Sequence, residues 1–423
     1  MIGHRKRTRR SQAGFTLVEL MVALTGGLFI SLAVFALARD SGRFYQRESR
    51  IASATVSGLI GFERLRTDIA RAGFLASPNA VRDPRLCATP AASWPLNVRN
   101  LSSIQVSAPA TTYAPLTANG RNPPVLRLAG SYGSADQFTA YIEPPMGATT
   151  TFHLFVNTVK QPALLRLGAG VLPDTTAMQT VFQNGRLLRI VQNGRQHYAQ
   201  IVGAVGGASP TVTVNTTPPI QFRSGGTVGC GLTDGGGSAA GVSLLNVVNF
   251  IQYQLGQPQT PTAINTFKSV FQSSEAGPGE AGRTELMRVE QDLNGDPIDG
   301  TEELVAEYAI DFGLQFTVVT GGAGCCNPTI GTIAPGSATY ATFTGAVFGT
   351  GNTPELIRSV RVRLGVRSRE PDRFTTIAAP PDGGLFRFRT GSDFLGDKQG
   401  EDYARVRTFQ ADVALQNQMS VLW

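Results

Sequence analysis

A long apolar segment near the start of the chain constrains its structure more than any other feature. The segment runs from Phe15 to about Ala38 and contains a single charged residue, Glu19. At 1.5 Å per residue, a helix of this length spans roughly 35 Å, enough to cross a bilayer core of about 30 Å. A basic leader, residues 1–14, precedes it. Because cationic flanks stay in the cytoplasm, the rest of the chain is expected on the opposite side of the membrane.

Glu19 is the exceptional residue of this segment. A carboxylate in an apolar helix costs about 1–3 kcal/mol even near a helix end, so such a residue usually has a function. A cut between Gly14 and Phe15 would create a new α-ammonium group four residues before Glu19. The amine of a neighbouring copy, displaced slightly along the helix axis, would then neutralise the carboxylate.

These residues resemble the class III signal of a type IV prepilin. Gly14 matches the cut-site glycine, Phe15 the new N-terminal residue and Glu19 the fifth mature residue, and the surrounding T-L-V-E-L-M-V-A-L also matches. The resemblance implies cleavage after Gly14 and N-methylation of Phe15 by a prepilin peptidase. It further implies an inner-membrane protein that later enters the helical core of a surface filament, where Glu19 sets the axial register.

Two simpler interpretations of the segment remain open. Ala36-Leu37-Ala38 offers a site for ordinary signal peptidase, although the apolar region exceeds the usual length of about 7–15 residues and carries a charge. The segment can also be a plain membrane anchor with an incidental glutamate. The first interpretation places the N-terminus after Ala38, and the second places it at Met1.

Composition favours a β-rich exported body. Charged residues make up only 16% of the 423, while 48 are glycine and 25 are proline, which favours strands and loops over a helical bundle. The formal net charge is +7, but removal of the leader takes away five basic residues and leaves about +2 (7 − 5). The charge is therefore mainly a topology signal, and no nucleic-acid partner is expected.

The helix is predicted to continue past the membrane span, residues 15–38, as an amphipathic half, residues 39–73. Apolar residues recur at intervals of three and four at Leu59, Phe62, Leu65 and Ile69. Most charged residues fall on the other side, namely Arg64, Arg66, Asp68 and Arg71. Gly73 is predicted to end the helix, and Gly58 and Gly61 are interpreted as a bend. The expected fold class is α+β, a pilin-like arrangement of this helix on an antiparallel β-sheet head, residues 74–423.

Alternating residues predict the strands of the head. The candidates are Val125–Leu128, Gln137–Ile142, Thr151–Val156, Val247–Leu255, Thr284–Val289 and Leu304–Val319. Asn193-Gly194 predicts a hairpin between Leu187–Gln192 and Arg195–Val202. Another strand alternates apolar residues with an outer face of Arg361, Arg363 and Arg367, which faces either solvent or an acidic partner. Three low-complexity stretches are predicted to be long surface loops: Gly203–Gly241, Gln257–Gly282 and Gly321–Thr353.

Two further segments resemble minor pilins of the PilW type. Arg66–Phe74 resembles the D-[LI]-R-x-A-G-[YF] signature that ends the long helix of that family, with Ala70 where the family has arginine and with the nearby cysteine displaced to Cys87. Tyr403–Asn417 resembles the family's closing strand, with Gln416 in place of an arginine. The resemblance implies a minor pilin near the filament tip. Its partners would be major and minor pilins, the prepilin peptidase, an inner-membrane assembly platform and a tip adhesin.

A metal site and a disulfide framework are the other candidate sites. Oxygen-bearing residues are spaced like calcium ligands at Asp292, Asn294, Asp296 and Asp299, although Pro297 stands where an EF-hand has glycine and Asn294-Gly295 also suits a polar hairpin turn. The four cysteines, Cys87, Cys230, Cys325 and Cys326, allow three pairings in an oxidising periplasm. No cofactor other than calcium is suggested.

The sequence gives little support to an enzyme. It contains no P-loop, H-E-x-x-H or G-x-S-x-G motif, and only His153 and His197 would remain after loss of the leader. Three alternatives to a minor pilin stay open: a J-like pseudopilin of type II secretion, a membrane-anchored adhesin or lectin-like binding protein, and an exported hydrolase that uses carboxylates alone.

Overall fold

The computed structural model describes residues 16–110, 112–142, 149–156, 164, 167, 172–222, 230–233, 241–257, 283–320, 329–369, 384–390, 403–419 and 421. The chain divides into two units, Met1–Ala52 and Ser53–Trp423. The helices are α1 (Leu17–Ala70), α2 (Leu96–Arg99), α3 (Ala114–Ala118), α4 (Thr175–Val181) and α5 (Tyr340–Thr344). Short 3-10 turns follow at Pro354–Leu356 and Gln416–Gln418.

The strands are all antiparallel to their neighbours in the sheets. They are β1 (Ile104–Ser107), β2 (Val125–Gly130), β3 (Phe138–Ile142), β4 (Thr149–Leu154), β5 (Leu187–Gln192), β6 (Arg195–Val205), β7 (Thr211–Asn215), β8 (Ser243–Gly256), β9 (Glu285–Gln291), β10 (Glu303–Ala306), β11 (Ala309–Thr320), β12 (Thr329–Ile333), β13 (Ile357–Arg367), β14 (Arg387–Arg389) and β15 (Tyr403–Ala414). The predicted α+β class, with a long N-terminal helix and antiparallel sheets, is confirmed.

The last part of α1 packs on two sheets through one apolar stripe. Phe62, Leu65 and Ile69 are buried in a core shared by the open sheet β1-β2-β8-β9-β10 and the five-stranded sheet β12-β11-β13-β15-β14. Leu59, predicted to belong to this stripe, is 48% exposed, and Phe62 is the first residue of α1 in this core. The helix ends at Ala70, and Gly73, predicted as its end, follows with the positive φ typical of a helix terminus.

Two glycines let α1 approach the sheets more closely than any side chain would allow. A Cβ atom on Gly61 would lie 2.2 Å from the carbonyl oxygen of Val305, and one on Gly58 would lie 2.6 Å from the Phe409 ring. Both positions lie within the unbroken helix α1. Close packing, rather than the bend suggested by the sequence, is therefore the structural role of these glycines.

Asp68 anchors the same part of α1. Its side chain is only 2% exposed, so the prediction that it lies on the polar side is wrong. Its Oδ2 accepts hydrogen bonds from Tyr253 Oη at 2.7 Å and from Arg288 Nε at 2.8 Å. A buried carboxylate needs both a cation and hydrogen-bond donors, and β8 and β9 supply them.

Six strands of the head form a closed barrel. The order β3-β4-β7-β6-β5-β8 returns to β3, because the first part of β8, Ser243–Val248, pairs with both β3 and β5. Its interior is filled by apolar side chains, among them Phe138, Phe152 and Phe182. The second part of β8 pairs with β2 and β9, so this strand belongs to both the barrel and the sheet on which α1 rests.

Several strand predictions are confirmed, and others need correction. The β5–β6 hairpin has its turn at Asn193-Gly194, both with positive φ as a type I′ turn requires. The single strand predicted over Leu304–Val319 is divided, because the chain crosses from one sheet to the other at Tyr308, where φ is +53°.

Two of the predicted loops contain regular structure. Within Gly203–Gly241, Thr211–Asn215 alternates as a strand and forms β7 of the barrel. Gly321–Thr353 contains β12 and α5, while its residues 321–328 lie outside the described part of the chain. Of Gln257–Gly282, residues 258–282 also lie outside it.

The arginines of β13 do not form a free basic face. Arg361 Nε donates to Asp412 Oδ1 at 2.9 Å, and Arg363 Nε donates to Asp311 Oδ2 at 2.8 Å. Arg367, predicted on the outer face, is fully buried, with its guanidinium 5.2 Å from the centre of the Tyr308 ring. The chain's own carboxylates and aromatic rings therefore occupy the surface that an acidic partner would need.

Candidate assembly site on the N-terminal helix

The first part of α1 is apolar on all sides. Leu17–Gly42, 26 residues with a mean hydropathy of 2.4, meets the length and composition needed to cross a membrane, and its residues are exposed in the structure. A helix that is apolar all round requires an apolar environment, which is either lipid or other helices.

The few polar groups in this span are satisfied within the helix. Thr25 Oγ1 donates to the carbonyl oxygen of Met21 at 3.0 Å, and Ser31 Oγ donates to that of Gly27 at 2.8 Å. These bonds remove the cost of placing hydroxyl groups in hydrocarbon. Glu19 is therefore the one side chain of the predicted span, Phe15–Ala38, that bears a charge.

Glu19 and Thr16 form a capping box at the start of α1. The backbone nitrogen and Oγ1 of Thr16 both donate to Glu19 Oε2, at 3.0 and 2.9 Å, and the Glu19 nitrogen donates to Thr16 Oγ1 at 3.3 Å. This arrangement satisfies backbone donors that a helix N-terminus otherwise leaves unpaired. Thr16 was not predicted from the sequence as a functional residue, although the spacing T-x-x-E ahead of an apolar run is the signature of such a cap.

The two oxygens of Glu19 are used differently. Both Thr16 donors reach Oε2, and within the described residues no hydrogen bond reaches Oε1. The carboxylate can therefore accept an external donor on Oε1 without losing its cap. Gly14 and Phe15, the predicted cleavage and methylation residues, lie outside the described part of the chain.

The residues predicted as calcium ligands form a tight turn. Asp292 Oδ1 accepts from the backbone nitrogens of Asn294 at 2.9 Å and Asp296 at 2.8 Å, and Gly295 has a φ of +95°. In the part of the chain that the structure describes, no group of three or more His, Cys, Asp or Glu side chains could hold a metal ion. The geometry is that of a polar turn, and calcium binding by these residues and Asp299 stays a prediction.

The cysteines separate into a described pair and an undescribed pair. The Cys87 and Cys230 thiols are hydrogen-bonded to each other. Burial, together with Cys230, raises the pKa of Cys87 to about 12, so this thiol stays protonated and is a poor nucleophile or metal ligand. Cys325 and Cys326 lie outside the described residues.

Neither histidine has the environment of a catalytic base. Burial lowers the pKa of His197 to about 4, and this residue lies on the barrel-facing side of β6. His153 stacks on its cross-strand partner Tyr141, with ring centres 5.0 Å apart. Both environments are those of structural residues.

Comparison with known proteins finds a match for the start of the chain. Residues 9–25 match the prokaryotic N-terminal methylation motif. No curated protein and no solved structure matches the chain. The motif supports a membrane-associated structural protein of the type IV pilin or pseudopilin kind, and it includes Glu19 and its cap.

Proposed function

We propose that this chain is a minor pilin that helps to start the assembly of a type IV pilus and is incorporated near the pilus tip. The observation that carries the proposal is the exposed apolar span Leu17–Gly42, which begins with a capped glutamate inside a methylation motif. A span of this kind contacts lipid before assembly and packs against neighbouring helices after it.

The first steps follow from the chemistry of the N-terminus. A prepilin peptidase cuts after Gly14 and methylates the new amine of Phe15, and the helix stays in the inner membrane with the head in the periplasm. An assembly platform then transfers the helix into the filament core, next to major and other minor pilins. As part of the pilus, the protein would contribute to twitching motility and cell adhesion.

Glu19 would select the position of each new subunit. A methylated ammonium from a neighbouring copy can approach Oε1 while Thr16 holds Oε2, so the ion pair forms on a carboxylate whose orientation is already fixed. In a low-dielectric environment such a pair is far stronger than in water. Only one axial displacement between two helices brings the amine and the carboxylate together.

The two segments that resemble PilW-type pilins meet in the structure, which supports that subtype. Asn417 Nδ2 donates to the carbonyl oxygen of Ala72 at 3.1 Å, and a Cβ on Gly73 would lie 3.7 Å from the Asn417 Cβ. The same Nδ2 also donates, at 3.5 Å, to the carbonyl oxygen of Ala70, the last residue of α1, which is one of the carbonyls that the end of the helix leaves open. The segment after the closing strand therefore packs against the end of α1. This contact explains why both motifs would occur in the same protein.

The bulk of the head supports a position near the tip. It contains a six-stranded barrel in addition to the sheets on which α1 rests. In a helical filament every subunit is flanked above and below by others, whereas a subunit at the tip is unobstructed on one side. A tip adhesin or another minor pilin would contact the head there.

The test begins with the N-terminus. Mass spectrometry of the purified protein should find methylated Phe15 as the first residue, and Gly14→Ala should leave the leader attached. A wild-type chain that begins at Met1 or after Ala38 would refute the prepilin assignment. Gene neighbourhood then separates the two pilin classes, because adjacent secretion-channel genes would indicate a type II secretion pseudopilin.

The role of Glu19 is tested with a matched pair of variants. Glu19→Ala should be cut and methylated normally, yet its amount in sheared pili should fall at least about tenfold, since a tenfold loss needs only about 1.4 kcal/mol. Thr16→Ala removes the two hydrogen bonds of the cap that use the Thr16 hydroxyl and keeps the carboxylate, so it should lower incorporation much less. Equal losses in the two variants would mean that Glu19 acts only as a helix cap, and normal piliation with Glu19→Ala would favour a membrane-anchored binding protein.

A further inference from the structure

The loop that carries Cys87 is held at the turn end of the β5–β6 hairpin. Gln196 donates from its backbone nitrogen to the Arg85 carbonyl at 2.8 Å, and the Cys87 nitrogen donates to the Gln196 carbonyl at 3.1 Å. Arg195 Nη1 adds a bond to the Pro84 carbonyl at 2.8 Å. Three hydrogen bonds therefore fix the backbone on both sides of Leu86 and set the direction of the next side chain, Cys87.

The segment that carries Cys230 is held at the same place from the other strand. Gln192, the last residue of β5, accepts from the Thr233 nitrogen on Oε1 at 2.7 Å and donates from Nε2 to the Thr233 carbonyl at 3.2 Å. Leu232 also donates from its nitrogen to the Gln221 carbonyl at 2.8 Å. Since Gln192 is buried, this two-way bond is a fixed feature of the barrel end.

The strand register brings the two attachment points together. Gln192 is paired with Arg195, and Val191 with Gln196, so the sites that hold the two segments are adjacent on the hairpin. The thiols of Cys87 and Cys230 accordingly come within hydrogen-bonding distance. A covalent bond forms when two such sulfur atoms approach to about 2.05 Å.

We propose that Cys87 and Cys230 form a disulfide bond that fastens both segments to the end of the barrel. The proposal rests on the proposed function in one respect, because export of the head provides the oxidising compartment. It removes two of the three pairings that the sequence allows and leaves Cys325 and Cys326 to each other.

The chemistry needs an oxidant, and a thiol-oxidising protein that itself carries a reactive disulfide supplies it. Cys230 attacks the oxidant disulfide as its thiolate and forms a mixed disulfide, and Cys87 then gives up its proton as its sulfur attacks Cys230 and displaces the oxidant. The two cysteines together lose two protons and two electrons, one S–S bond forms, and the oxidant leaves as a dithiol. The bond joins residues far apart in sequence, so it restricts the unfolded chain strongly.

Cys87 and Cys230 fall on separate tryptic peptides, and Cys325 and Cys326 share a third, which makes the proposed pairing measurable. Trypsin releases residues 86–99 with Cys87, residues 224–268 with Cys230, and residues 289–358 with Cys325 and Cys326. The full chain, purified in detergent and reduced, is oxidised with oxidised glutathione, alkylated and digested without reduction. We expect residues 86–99 linked to residues 224–268, with loss of alkylation at both cysteines. A link from Cys87 to residues 289–358, or full alkylation of Cys87 and Cys230, would overturn the proposal.

Variants show whether the native geometry decides the pairing. After oxidation and denaturation of Cys230→Ser, Cys87 should be fully alkylated, whereas the double change Cys325→Ser and Cys326→Ser should leave the expected link intact. Oxidation in concentrated urea should lower the yield of that link relative to the native protein, and an equal yield would mean that the fold does not direct it. The measurement uses purified protein, so its outcome is independent of whether the N-terminus is methylated Phe15.

Discussion

The two ends of α1 each carry a carboxylate in an apolar stretch, and they differ in how that carboxylate is paired. Asp68, near the end of the helix, finds a cation and a hydroxyl donor within its own head, in Arg288 and Tyr253. Glu19, near the start, meets only its neighbour Thr16 among the described residues, and one of its oxygens receives no hydrogen bond from them. Both carboxylates lie in apolar stretches of one helix, yet only the pairing of Asp68 is complete.

The apolar surfaces differ in the same way. From Phe62 to Ile69 the apolar residues form a stripe that the sheets bury, whereas from Leu17 to Gly42 they surround the helix and stay exposed. A stripe matches one protein surface, and a helix that is apolar all round needs partners on every side. The second part of α1 thus belongs to a folded domain. The apolar surface of the first part needs lipid or the helices of other subunits to cover it.

The largest effect should come from removing Asp68. Asp68→Ala leaves Arg288 buried without its main partner, and breaking a buried ion pair costs about 3–4 kcal/mol of the free energy of unfolding. Urea unfolding of the full chain in detergent would measure it. Glu63→Gln is the matched control, because this exposed carboxylate, 3.1 Å from Arg66, contributes at most about 0.5 kcal/mol.

Glu19→Ala is expected to have the opposite effects to Asp68→Ala. Glu19→Ala should leave the unfolding of the head unchanged while it reduces assembly, since Glu19 has no partner in the described head. If Asp68→Ala unfolds at the same urea concentration as the wild type, the distinction between a charge paired within the chain and one paired between chains is lost.

The helices and strands were easier to predict from the sequence than the contacts between residues far apart in the chain. The stripe of α1 from Phe62 to Ile69, most strands and the Asn193-Gly194 hairpin depend on residues close in sequence, and these predictions are confirmed. Asp68 was misplaced because it lies at the flank of the stripe, where helical periodicity does not decide burial. Its partners Tyr253 and Arg288 are 185 and 220 residues away. The closure of the barrel was missed for the same reason, since the first part of β8 pairs with β3 and β5, which lie much earlier in the chain.

The candidate site was easier to predict than the head. Glu19 could be singled out because a lone charge in an apolar run is conspicuous in the sequence itself. Its capping bond with Thr16 is also local and could have been predicted from the spacing. The contact of Cys87 with Cys230 could not, because it depends on the register of a hairpin that neither residue belongs to.

A smaller effect is expected where α1 approaches the sheets. Gly61→Ala places a Cβ atom 2.2 Å from the Val305 carbonyl oxygen, so the helix or β10 must move, at a cost of about 2–3 kcal/mol. Gly42→Ala is the control, because a Cβ there meets nothing within 4 Å. That change should leave the unfolding of the head unaffected. Equal stability of the two variants would show that close packing does not hold the second part of α1 in place.

The smallest effect concerns the strand that holds Asp68 through Arg288. Burial raises the pKa of Glu285, the first residue of β9, to about 7, although Arg283 and the Tyr308 amide act to lower it. In the unfolded chain this carboxyl ionises near 4.5. Between these values the folded protein keeps a proton that the unfolded chain releases. The contribution of Glu285 to stability is therefore present at low pH and is lost as the pH rises towards 7.

Comparison of the wild type with Glu285→Gln isolates this contribution. From pH 5 to pH 7 the difference between their free energies of unfolding should shift against the wild type by about 2 kcal/mol. The difference is needed because His197, whose pKa is lowered to about 4, changes stability in the opposite direction over much of this range. A difference that does not vary with pH would mean that Glu285 is ionised in the folded protein. Arg283 would then hold β9 by a full ion pair, as Arg288 holds α1.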